Sequence, residues 1–121
     1  MLVLLYLAAV GPNVQAVVPA PDGGYPGGNT AEGQNALLSL TSGTYNTAVG
    51  LYSLLSTTSG KFNTGVGAGT LLVNTADSNT ATGAGALFSH TTGNGNTATG
   101  TFALFSDSTG QVNTATGASA I

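Results

Sequence analysis

The chain has 121 residues, enough for about one domain, and carries one lysine (Lys61) against four acids, Asp22, Glu32, Asp77 and Asp107. A net charge of −3 excludes the basic footprint of a nucleic-acid binder and gives little electrostatic protection against self-association. The chain has no cysteine, which excludes disulfides and thiolate metal sites.

Residues 1–16, MLVLLYLAAVGPNVQA, form an apolar N-terminal segment. The run from Leu2 to Val10, followed by Val14 and Ala16 at the third and first positions before a cut, resembles a secretory signal and implies an extracellular location. A positively charged n-region is missing, so the alternative is an apolar segment kept for assembly. The run is far shorter than the ~20 residues a spanning helix needs, and no membrane span is expected. Residues 17–28, VVPAPDGGYPGG, hold three prolines and four glycines and read as a linker or cap.

From residue 29 to 121 the chain repeats. Aligned on Asn-Thr, six copies begin at Asn29, Asn46, Asn63, Asn79, Asn96 and Asn113, spaced by 17 residues except for one step of 16. Four residues after each asparagine stands a glycine: Gly33, Gly50, Gly67, Gly83, Gly100 and Gly117. A second turn is expected at Gly43, Gly60, Gly93 and Gly110, with Asp77 in that place in the short copy.

A period near 17 is too short for two packed helices, and the glycines would break them. It suits one coil of an all-β parallel solenoid, or β-roll, of five to six coils that hydrogen-bond to one another at about 4.8 Å. A stacked position must suit its copies above and below. Asparagine in a column can bond up the stack, threonine favours the extended strand, and glycine marks a turn or a close backbone approach.

Two apolar columns follow each turn: Leu37, Leu54, Leu71, Leu87, Leu104 and Ile121, then Leu38, Leu55, Leu72, Phe88 and Phe105. One coil has little room to bury both, so if the first column faces the interior the second faces outward as a possible assembly face, or the reverse. The copy at Asn113 stops at Ile121 without a polar capping unit, which implies either a longer chain or a covering subunit.

No catalytic, cofactor-binding or metal-binding constellation emerges, and the chain does not read as an enzyme. A triad needs a nucleophile, a base and an orienting acid. The one histidine, His90, shares a variable column with Leu40, Thr57, Asn74 and Asp107 and is expected to face solvent. The acids do not recur from copy to copy, as they do in calcium-binding solenoids. Thr80 and Thr82, Thr97 and Thr99, and Thr114 and Thr116 form a Thr-x-Thr array similar to ice-binding solenoid faces, which Glu32, Val49 and Val66 interrupt. An aromatic platform would support glycan recognition, but the column just before Asn holds Tyr45, Phe62 and Val112 with Gly95 interrupting it.

The pattern Asn-Thr-Ala-x-Gly-x-x-Ala-Leu-x-Ser-x-Thr-Thr-Gly, best seen at Asn79–Gly93 and Asn96–Gly110, resembles the repeats of trimeric autotransporter adhesin heads and related bacterial and phage fibre proteins. That resemblance implies a left-handed β-roll, commonly trimeric, acting as an extracellular stalk, fibre or adhesive head. It carries over no catalytic residue. The expected function is therefore a structural subunit of a secreted fibre that assembles with itself. The alternative is a binding module for a glycan, a cell surface or, less in keeping with the sequence, ice.

Overall fold

The computed structural model describes residues 25–121, so the apolar segment at 1–16 and residues 17–24 of the Pro/Gly stretch lie outside the described residues. Each copy of the repeat forms one coil bearing one short strand: β1 (Thr30–Glu32), β2 (Thr47–Val49), β3 (Thr64–Val66), β4 (Thr80–Thr82), β5 (Thr97–Thr99) and β6 (Thr114–Thr116). They make one parallel sheet in chain order, with like residues in register, Thr47 beside Thr64 and Thr80 beside Thr97. The described chain is thus an all-β solenoid of stacked coils without a helix.

Alternation along each strand explains its three letters. From β2 onward the middle residue is buried and its neighbours are not. Ala48, Ala81 and Ala98 enter the interior, while the threonines and valines on either side keep the χ1-restricted, β-branched shape that strands favour. β3 has Gly65 in the middle place because two hydroxyls occupy the space. A Cβ there would lie 2.5 Å from Ser53 Oγ and 2.6 Å from Thr70 Oγ1, which are hydrogen-bonded to each other at 2.7 Å.

The glycine after each strand is fixed by contact. A Cβ on Gly33, Gly50, Gly67, Gly83 or Gly100 would come within 2.6–2.8 Å of the carbonyl carbon of the equivalent glycine one coil on. These glycines also have φ between +114° and +133°, outside the range of L side chains.

The consecutive leucines are separated by backbone conformation rather than by strand alternation. Leu37, Leu54, Leu71, Leu87 and Leu104 are buried and all left-handed, with φ between +47° and +53°. The N–H of each points to the following coil, as in Leu54 N to Thr70 O at 2.9 Å and Leu71 N to Ala86 O at 3.1 Å. Two residues earlier the N–H points back, as in Gly69 N to Leu51 O at 2.8 Å. The left-handed turns therefore rotate successive peptide groups so that this side of the coil also bonds along the solenoid axis. The conformation costs about 1–2 kcal/mol per residue, and burying a leucine returns about 1.5–3 kcal/mol. Burial outweighs the strain.

Val112 has the strain without the burial. It is β-branched, has φ +55°, and is 81% exposed. Gly95 occupies the same place one coil earlier with φ +74°. Val112→Gly is expected to raise stability by about 1 kcal/mol, the strain relieved less the added chain entropy. A urea titration checks this, and a lower midpoint for the variant would show that the valine side chain contributes more than its backbone costs.

Candidate functional site

The asparagine column braces the interior in two directions. Up the stack, the Oδ1 of Asn29, Asn46, Asn63, Asn79 and Asn96 accepts the backbone N–H of the next asparagine at 2.9–3.0 Å. Side-chain amides join the same oxygens from Asn46 to Asn29 at 3.1 Å, from Asn63 to Asn46 at 3.2 Å and from Asn96 to Asn79 at 3.0 Å. Across the coil, each Nδ2 donates to a turn carbonyl fourteen or thirteen residues on: Asn46 to Gly60, Asn63 to Ala76, Asn79 to Gly93 and Asn96 to Gly110, all at 2.8 Å. The crosswise bond was not legible in the spacing, since it runs from a side chain to a backbone carbonyl, which leaves no mark on the residue type that carries it.

That bond corrects the reading of the short coil. Ala76, not Asp77, stands at the place of the second-turn glycine, because its carbonyl accepts from Asn63. Asn74 makes the shortening possible by bonding Ala76 through both ends of its amide, Nδ2 to O at 3.0 Å and N to Oδ1 at 3.2 Å. Asp77 faces outward and accepts the N–H of Lys61 at 2.8 Å.

The variable column that contains His90 faces inward, contrary to the solvent-facing place expected from the sequence. Thr57, Asn74 and His90 are fully buried, and the Asp107 side chain is 20% exposed. The reason is the turn chemistry: this corner of the coil presents carbonyls that polar side chains can satisfy. Thr57 Oγ1 donates to Asn74 O at 2.9 Å, and His90 Nε2 lies 2.6 Å from Gly93 O. The same nitrogen lies 3.3 Å from Asn96 Nδ2, and the other ring nitrogen, Nδ1, faces Asp107 Oδ2 at 3.4 Å. Neither of these two buried atoms has a closer hydrogen-bond partner.

The pair has the members of a base and its orienting acid but not the geometry. The nitrogen of His90 that would reach a substrate is bound to Gly93 O, and the ring is sealed from solvent, whereas a general base must reach the proton it removes. Among the described residues no group of three or more His, Cys, Asp or Glu side chains is placed to hold a metal ion. A hollow of about 340 Å³ lies against the first coil beside Tyr25, Pro26, Ala31 and Leu37, with no carboxylate or imidazole on its wall.

Two outer surfaces remain. One is the sheet face, with an unbroken threonine column (Thr30, Thr47, Thr64, Thr80, Thr97 and Thr114) and a second column of Glu32, Val49, Val66, Thr82, Thr99 and Thr116. The other is apolar and lies along Leu38, Leu55, Leu72, Phe88 and Phe105. Leu38 is 65% exposed and Phe105 37%, with Leu55, Leu72 and Phe88 half-buried. Phe88 and Phe105 stack at 5.0 Å, and Phe102 meets Phe105 edge-on at 5.3 Å. Glycines make room for these rings: a Cβ on Gly85 would lie 2.6 Å from Phe102, and one on Gly69 3.4 Å from Phe88. Tyr52, in the column of Gly69 and Phe102, extends the same side.

Tyr45 and Phe62 stack at 5.3 Å with 9° between their planes, and Gly28 lies against Tyr45. Both rings are otherwise exposed, Tyr45 at 61% and Phe62 at 57%, and the column is interrupted by Ser78 and Gly95 in the next two coils. Compared with protein-family models, curated proteins and solved structures, the chain matches none. Among the described residues no helix is long and apolar enough to cross a membrane.

Proposed function

We propose that the chain is a structural subunit of a secreted, extracellular fibre or filament that assembles with copies of itself. The observation carrying this reading is the continuous apolar rank from Leu38 to Phe105, flanked by Tyr52 and Phe102, on a surface almost without charge. Large exposed apolar patches mark interfaces on soluble proteins. With one lysine in the chain, an acidic partner has little to pair with, while a second copy offers the same periodic apolar surface. The likeness of the repeat to trimeric adhesin heads favours three copies around one axis. Coil-on-coil continuation of the solenoid supplies the second direction of growth.

Sedimentation and negative-stain microscopy test the reading. The native chain is expected to associate at high concentration. Leu38→Glu with Phe102→Glu is expected to weaken association by about a hundredfold, near 3 kcal/mol, with an unchanged circular dichroism spectrum. A native chain that stays monomeric throughout would overturn the proposal. The alternative, an adhesin-like binding module, would use the threonine face, which the double variant leaves intact. Retention of a surface or glycan ligand by the monomeric variant would favour that alternative.

A further inference from the structure

We propose that Asn94 is a site of spontaneous deamidation, at which the folded solenoid leaves the reacting groups unprotected. The inference is independent of the fibre reading and rests on a break in the backbone pattern. In the position before each ladder asparagine, the N–H normally donates to a carbonyl of the preceding coil. Tyr45 N bonds Gly27 O at 2.9 Å, Phe62 N bonds Thr44 O at 3.1 Å, Ser78 N bonds Lys61 O at 2.9 Å, and Val112 N bonds Asn94 O at 3.0 Å. Gly95 holds this position in its coil, and its N–H has no backbone acceptor among the described residues. Both Asn94 and Gly95 are exposed.

The nitrogen of Gly95 is the nucleophile that deamidation requires, and no side chain on that residue hinders its approach. The electrophile is the side-chain carbonyl of Asn94, whose Oδ1 accepts the N–H of Asp77 at 2.9 Å, a bond that polarises Cγ toward attack. Gly95 N forms a bond to Asn94 Cγ, the Cγ–Nδ2 bond breaks, and Nδ2 departs as ammonia with the proton from Gly95. Water then opens the resulting succinimide at either carbonyl, giving aspartate or isoaspartate. No oxidant or reductant is involved.

The ladder asparagines are differently placed. Asn29, Asn46, Asn63, Asn79 and Asn96 are buried, their amides are held by two or more hydrogen bonds, and each is followed by threonine. Asn113 is exposed, but Thr114 follows it, and its β-branched side chain hinders attack by its nitrogen. Asn74 is buried with its amide tied to Ala76. Reaction at Asn94 makes the chain one unit more negative and places a carboxylate beside Asp77 on the neighbouring coil. The isoaspartate product also lengthens the main chain by one carbon where Val112 bonds Asn94 O.

The test incubates the whole chain, folded and in urea, in mildly alkaline heavy-oxygen water and maps the label by peptide mass spectrometry. Residue 94 is expected to take up label as mixed aspartate and isoaspartate in the folded protein, within about tenfold of the rate in urea, as for a site needing no global opening. Asn46, Asn63, Asn79 and Asn96 are expected to stay unlabelled in the folded sample. If the reaction required unfolding, the folded rate at residue 94 would fall on the order of a thousandfold or more, and that result, or label first entering at a ladder asparagine, would overturn the proposal.

Discussion

Gly83→Ala is expected to destabilise the solenoid by about 3–5 kcal/mol, a large share of the 5–15 kcal/mol available to a typical domain. The new Cβ would lie 2.6 Å from the carbonyl carbon of Gly100 and 2.7 Å from its oxygen. Backbone on both coils must move, and each is hydrogen-bonded to its neighbours, so no flexible side chain can absorb the overlap. The φ of +114° adds strain of its own. Gly117 supplies the control. Its φ is +125°, yet the nearest atom to a Cβ there is Ala120 Cβ at 4.0 Å. Gly117→Ala is therefore expected to show the conformational cost alone, about 1–3 kcal/mol. Urea denaturation of the two variants separates close approach from backbone strain. Equal losses would mean that the coils separate freely at this corner.

Asn63→Ala is expected to cost about 2–4 kcal/mol, close behind. The substitution removes the oxygen that accepts the buried N–H of Asn79 at 3.0 Å and the amide that ties β3 to Ala76 at 2.8 Å. Asn63→Asp separates the two roles, since it keeps an acceptor for Asn79 but turns an oxygen toward Asn46 Oδ1 and Ala76 O, where an N–H donor stood. It is expected to be at least as damaging as alanine, because a buried carboxylate facing two acceptors is unpaired. Asn113 is exposed and its side chain makes no hydrogen bond among the described residues, so Asn113→Ala is expected to stay within about 0.5 kcal/mol. Thermal unfolding ranks the three. A silent Asn63→Ala would show that the stack is held by packing alone.

The architecture was legible because stacking converts three-dimensional neighbours into a period. Asn-Thr at a spacing of 17 gave the register of all six strands, and the glycines gave the turns. The inward-facing place of His90 was hidden for two reasons. Alternation of side chains predicts sides only along a strand, and the left-handed leucines reset the direction of the chain three residues before His90, Asn74 and Thr57. In addition, this column mixes Leu40, Thr57, Asn74, His90 and Asp107, a variety that usually marks solvent. Here it reflects a corner where unlike polar groups each find a carbonyl or N–H. The one-residue deletion was likewise assigned to the wrong place: counted forward from Asn63 the turn falls on Asp77, but counted back from Asn79 it falls on Ala76, and the bond from Asn63 to Ala76 O decides for the second.

The glycines beneath the phenylalanines, and Gly65 beside Ser53 and Thr70, bear on how such an array can grow. Phe102 as it is placed requires the glycine at residue 85 one coil earlier, and the hydroxyls of Ser53 and Thr70 require the missing methyl at residue 65. Coils are therefore not interchangeable beads. Exchanging one coil for another is expected to be tolerated only where the neighbouring coils leave the same space, so the order of the six copies is part of what the fold specifies.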